Sequence, residues 1–339
     1  MKKIKIAQIG TAHEHACVAF ATLRRMTDVF DVVGYAQVPE DCGVIKESYY
    51  EGATKYTLEE IFATTDLDAV AIETTDLALV KYAQMSADRG LHVHMDKAPG
   101  ESAEAFEKLL KTIKEKKLAF SIGYMYRFNP IIRNAFEKVK NGEIGTVYSI
   151  DADMSCSSSK GKREWLSQFQ GGMMQFLGCH LIDLIVRLQG VPEEIIPYNY
   201  ATGFENVNSK DVALALLKYQ NGISTVRSSM IDFGGYVRRE LVLHGDKGTI
   251  EIRPLEKIER DTVVSTKMTQ YRPKDGWHGL GTIIESQPFD RYEDMLKEFA
   301  SIILGKRSYV VDLETEARIH RCLLTACGIG CDYKGKIEL

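Results

Sequence analysis

A chain of 339 residues has length for about two domains and can bury a core without disulfide staples. Hydrophobic residues at 45%, charged residues at 27% and only 8 Pro exclude disordered and fibrous classes, and a net charge of −4, from 43 Lys plus Arg against 47 Asp plus Glu, gives no drive toward nucleic acid or anionic membrane. No apolar run has the length of a membrane helix and no signal-peptide pattern opens the chain, so it reads as cytoplasmic; the seven cysteines (Cys17, Cys42, Cys156, Cys179, Cys322, Cys327, Cys331) are scattered without a CxxC pair and read as reduced thiols.

Residues 4–9 form an apolar strand ending at Gly10, and Ala16, Ala19, Phe20 and Leu23 mark one face of the helix that follows. Further strands are expected at 31–36, 68–73, 91–95 and 118–122, with helices at 77–89 and 103–116. This alternation predicts parallel βαβ units in a doubly wound α/β sheet, with its ligand at the carboxyl ends of the strands. After about residue 123 strands follow strands, at 147–154, 212–219, 224–231, 240–244 and 249–253, separated by turns such as Gln220-Asn221-Gly222. With helices at 130–140, 173–188 and 291–304, this half reads as an α+β domain with a mainly antiparallel open sheet that needs one face covered.

Three segments carry chemistry. Gly10-Thr11-Ala12-His13-Glu14-His15 sits at the first strand-to-helix turn, where a dinucleotide fold brings backbone amides to a pyrophosphate. Gly10 and Ala12 are small enough for the first two positions of GxGxxG, but His15 stands at the third. A purely structural turn is the other reading. Gln37, at the end of the second strand, can hydrogen-bond a ribose but lacks the charge that repels a 2′-phosphate, so NAD and NADP both stay open. His92-Val-His94-Met-Asp96-Lys97-Ala-Pro99 ends the fourth strand, where a lysine facing a cleft can hold a substrate hydroxyl. Gly171-Gly172 opens a helical stretch carrying His180 and Asp183 on one face, so the carboxylate can orient the ring or anchor the helix.

In this order and spacing, the nucleotide turn, the Asp96-Lys97-Ala-Pro99 strand end, Arg127-Phe128-Asn129-Pro130 and the Gly-Gly…Gly178-Cys-His180-Leu-Ile-Asp183 helix resemble the Gfo/Idh/MocA family of oxidoreductases. The resemblance spans nearly the whole chain and implies a Rossmann domain (1–123), a substrate-binding and oligomerisation domain (124–339), and NAD- or NADP-dependent hydride transfer at a carbinol of a sugar, inositol or glycoside. Lys97 corresponds to the family's active-site lysine and His180 to its acid–base histidine. Cofactor contacts are expected from Gly10, Thr11, Ala12, His13, His15, Gln37, Thr74, Thr75, Asp96 and Lys97. Arg163 and Trp165 stand at a spacing the family uses for substrate contact, and Tyr126, Arg127 and Gln175 are expected in the same cleft. A homo-oligomer, dimer or tetramer, is implied.

The chain departs from the family pattern at three places. Ungapped alignment puts Phe176 where many members carry a catalytic Asp, Asp96-Lys97-Ala-Pro99 replaces Glu-Lys-Pro, and histidines occupy the glycine-rich turn, where a three-residue deletion would match His15-Ala16 to the family's later His-Ala pair. Phe176 is then expected to shape the substrate pocket rather than to move a proton. His13, His15 and His180 arise on separate elements without ligand spacing, so no metal is expected. A binding protein on the same scaffold, taking nucleotide or sugar without turnover, is the alternative.

Overall fold

The computed structural model describes residues 3–41 and 46–339, so Cys42 lies outside the described residues. Two compact units emerge, one of 1–124, 292–317 and 336–339, the other of 125–291 and 318–335. The first opens with β1 (Ile4–Ile9), α1 (Ala16–Arg25), β2 (Phe30–Ala36), β3 (Lys55–Tyr56) and α2 (Leu58–Ala63). It continues through β4 (Ala69–Ile72), α3 (Leu79–Asp88), β5 (His92–Met95), α4 (Ala103–Glu115) and β6 (Phe120–Ile122). All five pairings are parallel, and the sheet order β3-β2-β1-β4-β5-β6 is that of a Rossmann fold. The order reverses between β1 and β4, which places the ends of these strands, Ile9 and Ile72, side by side at the switch point. β4 is apolar and buried at every position, as expected of an inner strand covered on both faces.

Two elements of this unit go beyond the sequence reading. β3 is only two residues long, too short to leave a periodic signal, whereas α2 is announced by a capping box in which Thr57 accepts from the Glu60 amide and Glu60 from the Thr57 amide.

The second unit contains α5 (Pro130–Lys140), β7 (Val147–Asp153), α6 (Lys160–Leu166), α7 (Cys179–Gln189), β8 (Glu194–Tyr200), β9 (Val212–Tyr219), β10 (Gly222–Ser229), β11 (Glu240–Gly245) and β12 (Gly248–Ile252). Then follow β13 (Lys257–Arg260), β14 (Val263–Ser265), β15 (Lys267–Tyr271), β16 (Thr282–Glu285) and β17 (Phe289–Asp290). Its large sheet runs β16-β15-β12-β11-β7-β10-β9-β8, antiparallel except for the β7–β10 pair, and β13, β14 and β17 form a small separate sheet. Alternation along the strands buries Ile150, Ala152, Ala215, Leu217, Val226, Leu241 and Leu243. The opposite face leaves Tyr198, Tyr200 and Ile223 exposed. The loop between β15 and β16 is a surface loop, with Trp277 94% exposed.

The stretch expected as one helix over 173–188 is not one helix. Met174–Gly178 forms a π-turn that leads into α7. Gly178 leaves room for the Met174 side chain, whose Sδ would lie 2.6 Å from a Cβ at that position. The chain then returns to the first unit through α8 (Glu293–Ile303), whose Leu296, Phe299 and Ala300 pack on Ile4, Ile6, Leu23 and Phe30. This return separates the observed units from two uninterrupted stretches. α9 (Leu313–Ala326) follows.

Candidate active site

In the first unit the carboxyl ends of β1, β4 and β5 gather the residues singled out in the sequence. Gly10 has φ +91°, and a Cβ on it would lie 2.4 Å from the Thr74 amide nitrogen, so only glycine lets the two strand ends approach. Ala12 and Thr75 are half-buried beside them. Asp41, unremarked in the sequence, organises the turn: its carboxylate accepts from the Thr11 amide at 2.9 Å, the Val38 amide at 3.1 Å and the Thr74 hydroxyl at 2.8 Å. Gln37 donates to Thr11 Oγ1 at 3.4 Å and accepts from Lys55 Nζ, and both side chains line one cavity with Tyr35, Ser48 and Tyr50, and with Glu47 and Glu51.

Next to the turn lies a buried charged cluster. His13 Nδ1 and His15 Nδ1 stand 2.9 and 3.0 Å from the same Asp96 oxygen, Oδ2, while His13 Nε2 is 2.8 Å from the Lys97 carbonyl. Glu73 and Asp76 approach His13 at 3.9 and 3.7 Å. Burial disfavours the His13 imidazolium, but Asp96 and Asp76 outweigh it and hold the ring pKa well above its ordinary value. Burial keeps His15 below its ordinary value. For Asp96 burial opposes ionisation, yet the two histidines hold its carboxyl well below the usual range. Glu73 is pushed well above the usual range, by burial first and the Asp96 charge second. Lys97 is 1% exposed. Glu73 and Asp76 are site residues that the sequence reading missed; the rule that ligands meet strand ends would have flagged Glu73, the residue after β4.

The second unit places Tyr126, Gln175 and His180 in its interior, each 2% exposed or less. The Tyr126 ring meets the His180 imidazole edge to face at 5.1 Å. The Tyr126 hydroxyl and both amide atoms of Gln175 are buried without a hydrogen-bond partner. Such orphaned groups are rare in folded proteins and mark places where water or a ligand completes the bonding. Burial pushes the Tyr126 hydroxyl pKa up.

Other expected substrate contacts are engaged within the unit. Arg127 binds Asp183 through Nε and Nη2, so the carboxylate anchors α7. Arg163 reaches Asp211 at 3.3 Å and also pairs with Glu205. The π-turn alters the alignment of Phe176 with His180, since its i→i+5 winding breaks the one-turn stacking of an α-helix. Phe176 is 5% exposed, with the Trp165 ring at 5.4 Å and Lys162 Nζ at 5.0 Å. Trp165 also meets Phe169.

Comparison with known proteins gives a coherent picture. Residues 132–251 match the GFO/IDH/MocA C-terminal domain. The chain is 25% identical over 327 residues to D-xylose 1-dehydrogenase (NADP(+)) 2 of Haloferax volcanii, covering 95% of this chain and 91% of that protein. Its fold is similar to that of a putative NADPH-dependent oxidoreductase from Desulfitobacterium hafniense (TM-score 0.79, 17% identity, 97% of this chain and 95% of that one). It is also similar to KijD10, a 3-ketoreductase from Actinomadura kijaniata solved in complex with NADP and TDP-benzene (TM-score 0.79, 16% identity, 95% and 96% covered). No helix among the described residues is long and apolar enough to cross a membrane. In its motifs, in the match of residues 132–251 and in its fold, the chain is similar to the Gfo/Idh/MocA family of oxidoreductases.

Proposed function

We propose that the protein moves a hydride between a nicotinamide dinucleotide and a carbinol of a sugar, polyol or glycoside. The observation that carries the substrate class is the pair of orphaned buried groups, the hydroxyl of Tyr126, whose ring meets His180, and the amide of Gln175, a bonding demand that hydroxyl groups meet. The first unit suits the dinucleotide. Gly10 leaves the switch point bare, and Gln37 and Lys55 offer a ribose hydrogen bond and a cation for a 2′-phosphate. NADP is the cofactor form named for the related xylose dehydrogenase, and Lys55 favours the same choice here.

When bound, the nicotinamide takes or returns the hydride. Lys97 holds the substrate oxygen and stabilises its developing negative charge, and His180 takes or returns the hydroxyl proton. Tyr126 and Gln175 orient the sugar through their free hydrogen-bonding atoms. Phe176, with Trp165, supplies an apolar wall. Exposed Tyr198, Tyr200 and Ile223 give the open sheet face a surface suited to a second copy, so a homo-oligomer is expected.

The test is a panel of aldoses, polyols and glycosides incubated with NADP or NAD while reduced-nicotinamide absorbance is followed, with thermal shift and light scattering on the same sample. Turnover with at least one sugar supports the reading. A cofactor-dependent thermal shift with no turnover on any of them favours a binding protein, a reading that the loss of the Asp at Phe176 recommends.

A further inference from the structure

We propose that His13, His15 and Asp96 bind a divalent transition-metal ion of the zinc type at the carboxyl end of the first sheet. The three ligand atoms lie within 4.8 Å of one another. Two of the separations, 2.9 and 3.0 Å from Asp96 Oδ2 to the histidine Nδ1 atoms, approach the edge of about 3.3 Å that zinc–ligand bonds of about 2.0–2.1 Å make in a tetrahedron.

The hydrogen bonds of His13 orient its ring toward this position. A carbonyl can only accept, so the 2.8 Å contact of Nε2 with the Lys97 oxygen requires a proton on Nε2. The backbone amide of His15 donates to Nδ1 at 3.2 Å, which requires a lone pair there. The same nitrogen faces a carboxylate oxygen at 2.9 Å, so the position between them takes a positive charge, either a proton or a metal ion. A ring nitrogen donating to a backbone carbonyl while the other faces the metal position is the usual support of a ligating histidine.

Glu73 supplies the independent observation. It is 0% exposed, neither carboxylate oxygen has a hydrogen-bond partner, and Oε2 is 3.9 Å from His13 Nδ1. Glu73, Asp76 and Asp96 thus bring three carboxyl groups to one side of His13, with Asp76 3.7 Å from its Nε2. His15, 17% exposed at its side chain, gives the ion a route in. Two imidazoles and one carboxylate with a position left for Glu73 or water suit zinc and its neighbours better than calcium or magnesium, which take all-oxygen sites.

The purified full chain, stripped with chelator, is titrated with Zn²⁺ in a calorimeter and with Co²⁺ in a visible spectrometer. Expected are one metal per chain that survives desalting, visible Co²⁺ bands of a low-coordinate site, a higher Tm with zinc, and at least about 100-fold weaker binding in His15→Ala and Asp96→Asn, both checked for folding by circular dichroism. Should both variants fail to fold, retained stoichiometric zinc and the Co²⁺ bands of the unmutated chain decide. Absence of stoichiometric uptake, with the NMR signature of an imidazolium at His13, overturns the proposal, because a proton then fills the position. So does zinc binding left unchanged in a folded His15→Ala. Sugar turnover by the stripped chain without metal uptake refutes the metal site alone, whereas metal uptake without turnover refutes the dehydrogenase reading alone.

Discussion

Arg127 grips Asp183 in a forked, buried ion pair, with Nε 3.1 and 3.0 Å from Oδ1 and Oδ2 and Nη2 2.7 Å from Oδ1. The pair ties the segment that carries Tyr126 to α7, the helix that carries His180, and thereby fixes the two rings against each other. Breaking one side leaves a charge stranded in the interior. Arg127→Ala or Asp183→Asn is expected to lower stability by about 3–5 kcal/mol in urea unfolding, while the apolar pair Arg127→Met with Asp183→Leu recovers much of that. A single variant as stable as the parent would show that the pair is not an anchor.

Phe176 packs against Trp165 under the Lys162 side chain. Phe176→Leu keeps an apolar contact and is expected to cost about 1–2 kcal/mol, whereas Phe176→Asp, which places a buried carboxylate against the Trp165 ring, costs about 3 kcal/mol or more. Thermal unfolding reads both. Because the ring also forms the proposed apolar wall, KM for the sugar should rise in both variants, and an Asp variant with unchanged Tm and KM contradicts this placement.

The doubly wound sheet was legible in the sequence because an apolar run bounded by turns, followed by a helical period, needs no tertiary information. The π-turn was not. Apolar spacing over 173–188 does not distinguish i→i+4 from i→i+5 winding, so a π-turn leaves no signal in the sequence pattern. The site was legible by residue type and opaque in its convergence. His15 and Asp96 both drew attention, but the contact that joins them spans 81 residues and depends on the order of β1, β4 and β5. Arg127 and Arg163 were expected at the substrate because of their places in the pattern of the resembled family, and nothing local announces the partners Asp183, Asp211 and Glu205 that they pair with.

Asp41 offers a carboxylate to the Thr11 amide, a donor that the phosphates of a dinucleotide would also claim. Removing its charge should favour an anionic ligand. Asp41→Asn, which keeps an acceptor for the turn, is expected to tighten NADP binding by roughly tenfold in a fluorescence titration, about 1.4 kcal/mol. Weaker binding in this variant would show that Asp41 shapes the turn more than it repels the ligand.

His92 begins β5 and accepts the Ala119 amide on Nδ1 at 2.9 Å, and burial holds its pKa below 6.5. The unfolded chain therefore binds more protons in the window between the folded pKa and 6.5, so this contribution is complete above that window and is lost as pH falls through it. His92→Asn preserves an acceptor for the amide and removes the titration. The stability of the variant should fall less steeply with acid over that window, read by urea midpoints at stepped pH, and an identical slope would exclude His92 as a source.

The central claim is that Lys97 and His180 carry the proton chemistry of a nicotinamide-dependent oxidation or reduction. Its most direct test is the kcat/KM of Lys97→Ala and His180→Ala on a sugar that the parent turns over, followed through reduced-nicotinamide absorbance. Each variant is expected to lose roughly 10²-fold or more with its Tm and cofactor affinity nearly unchanged, the scale on which general acid–base groups act. Near-parental turnover in either variant would contradict the account.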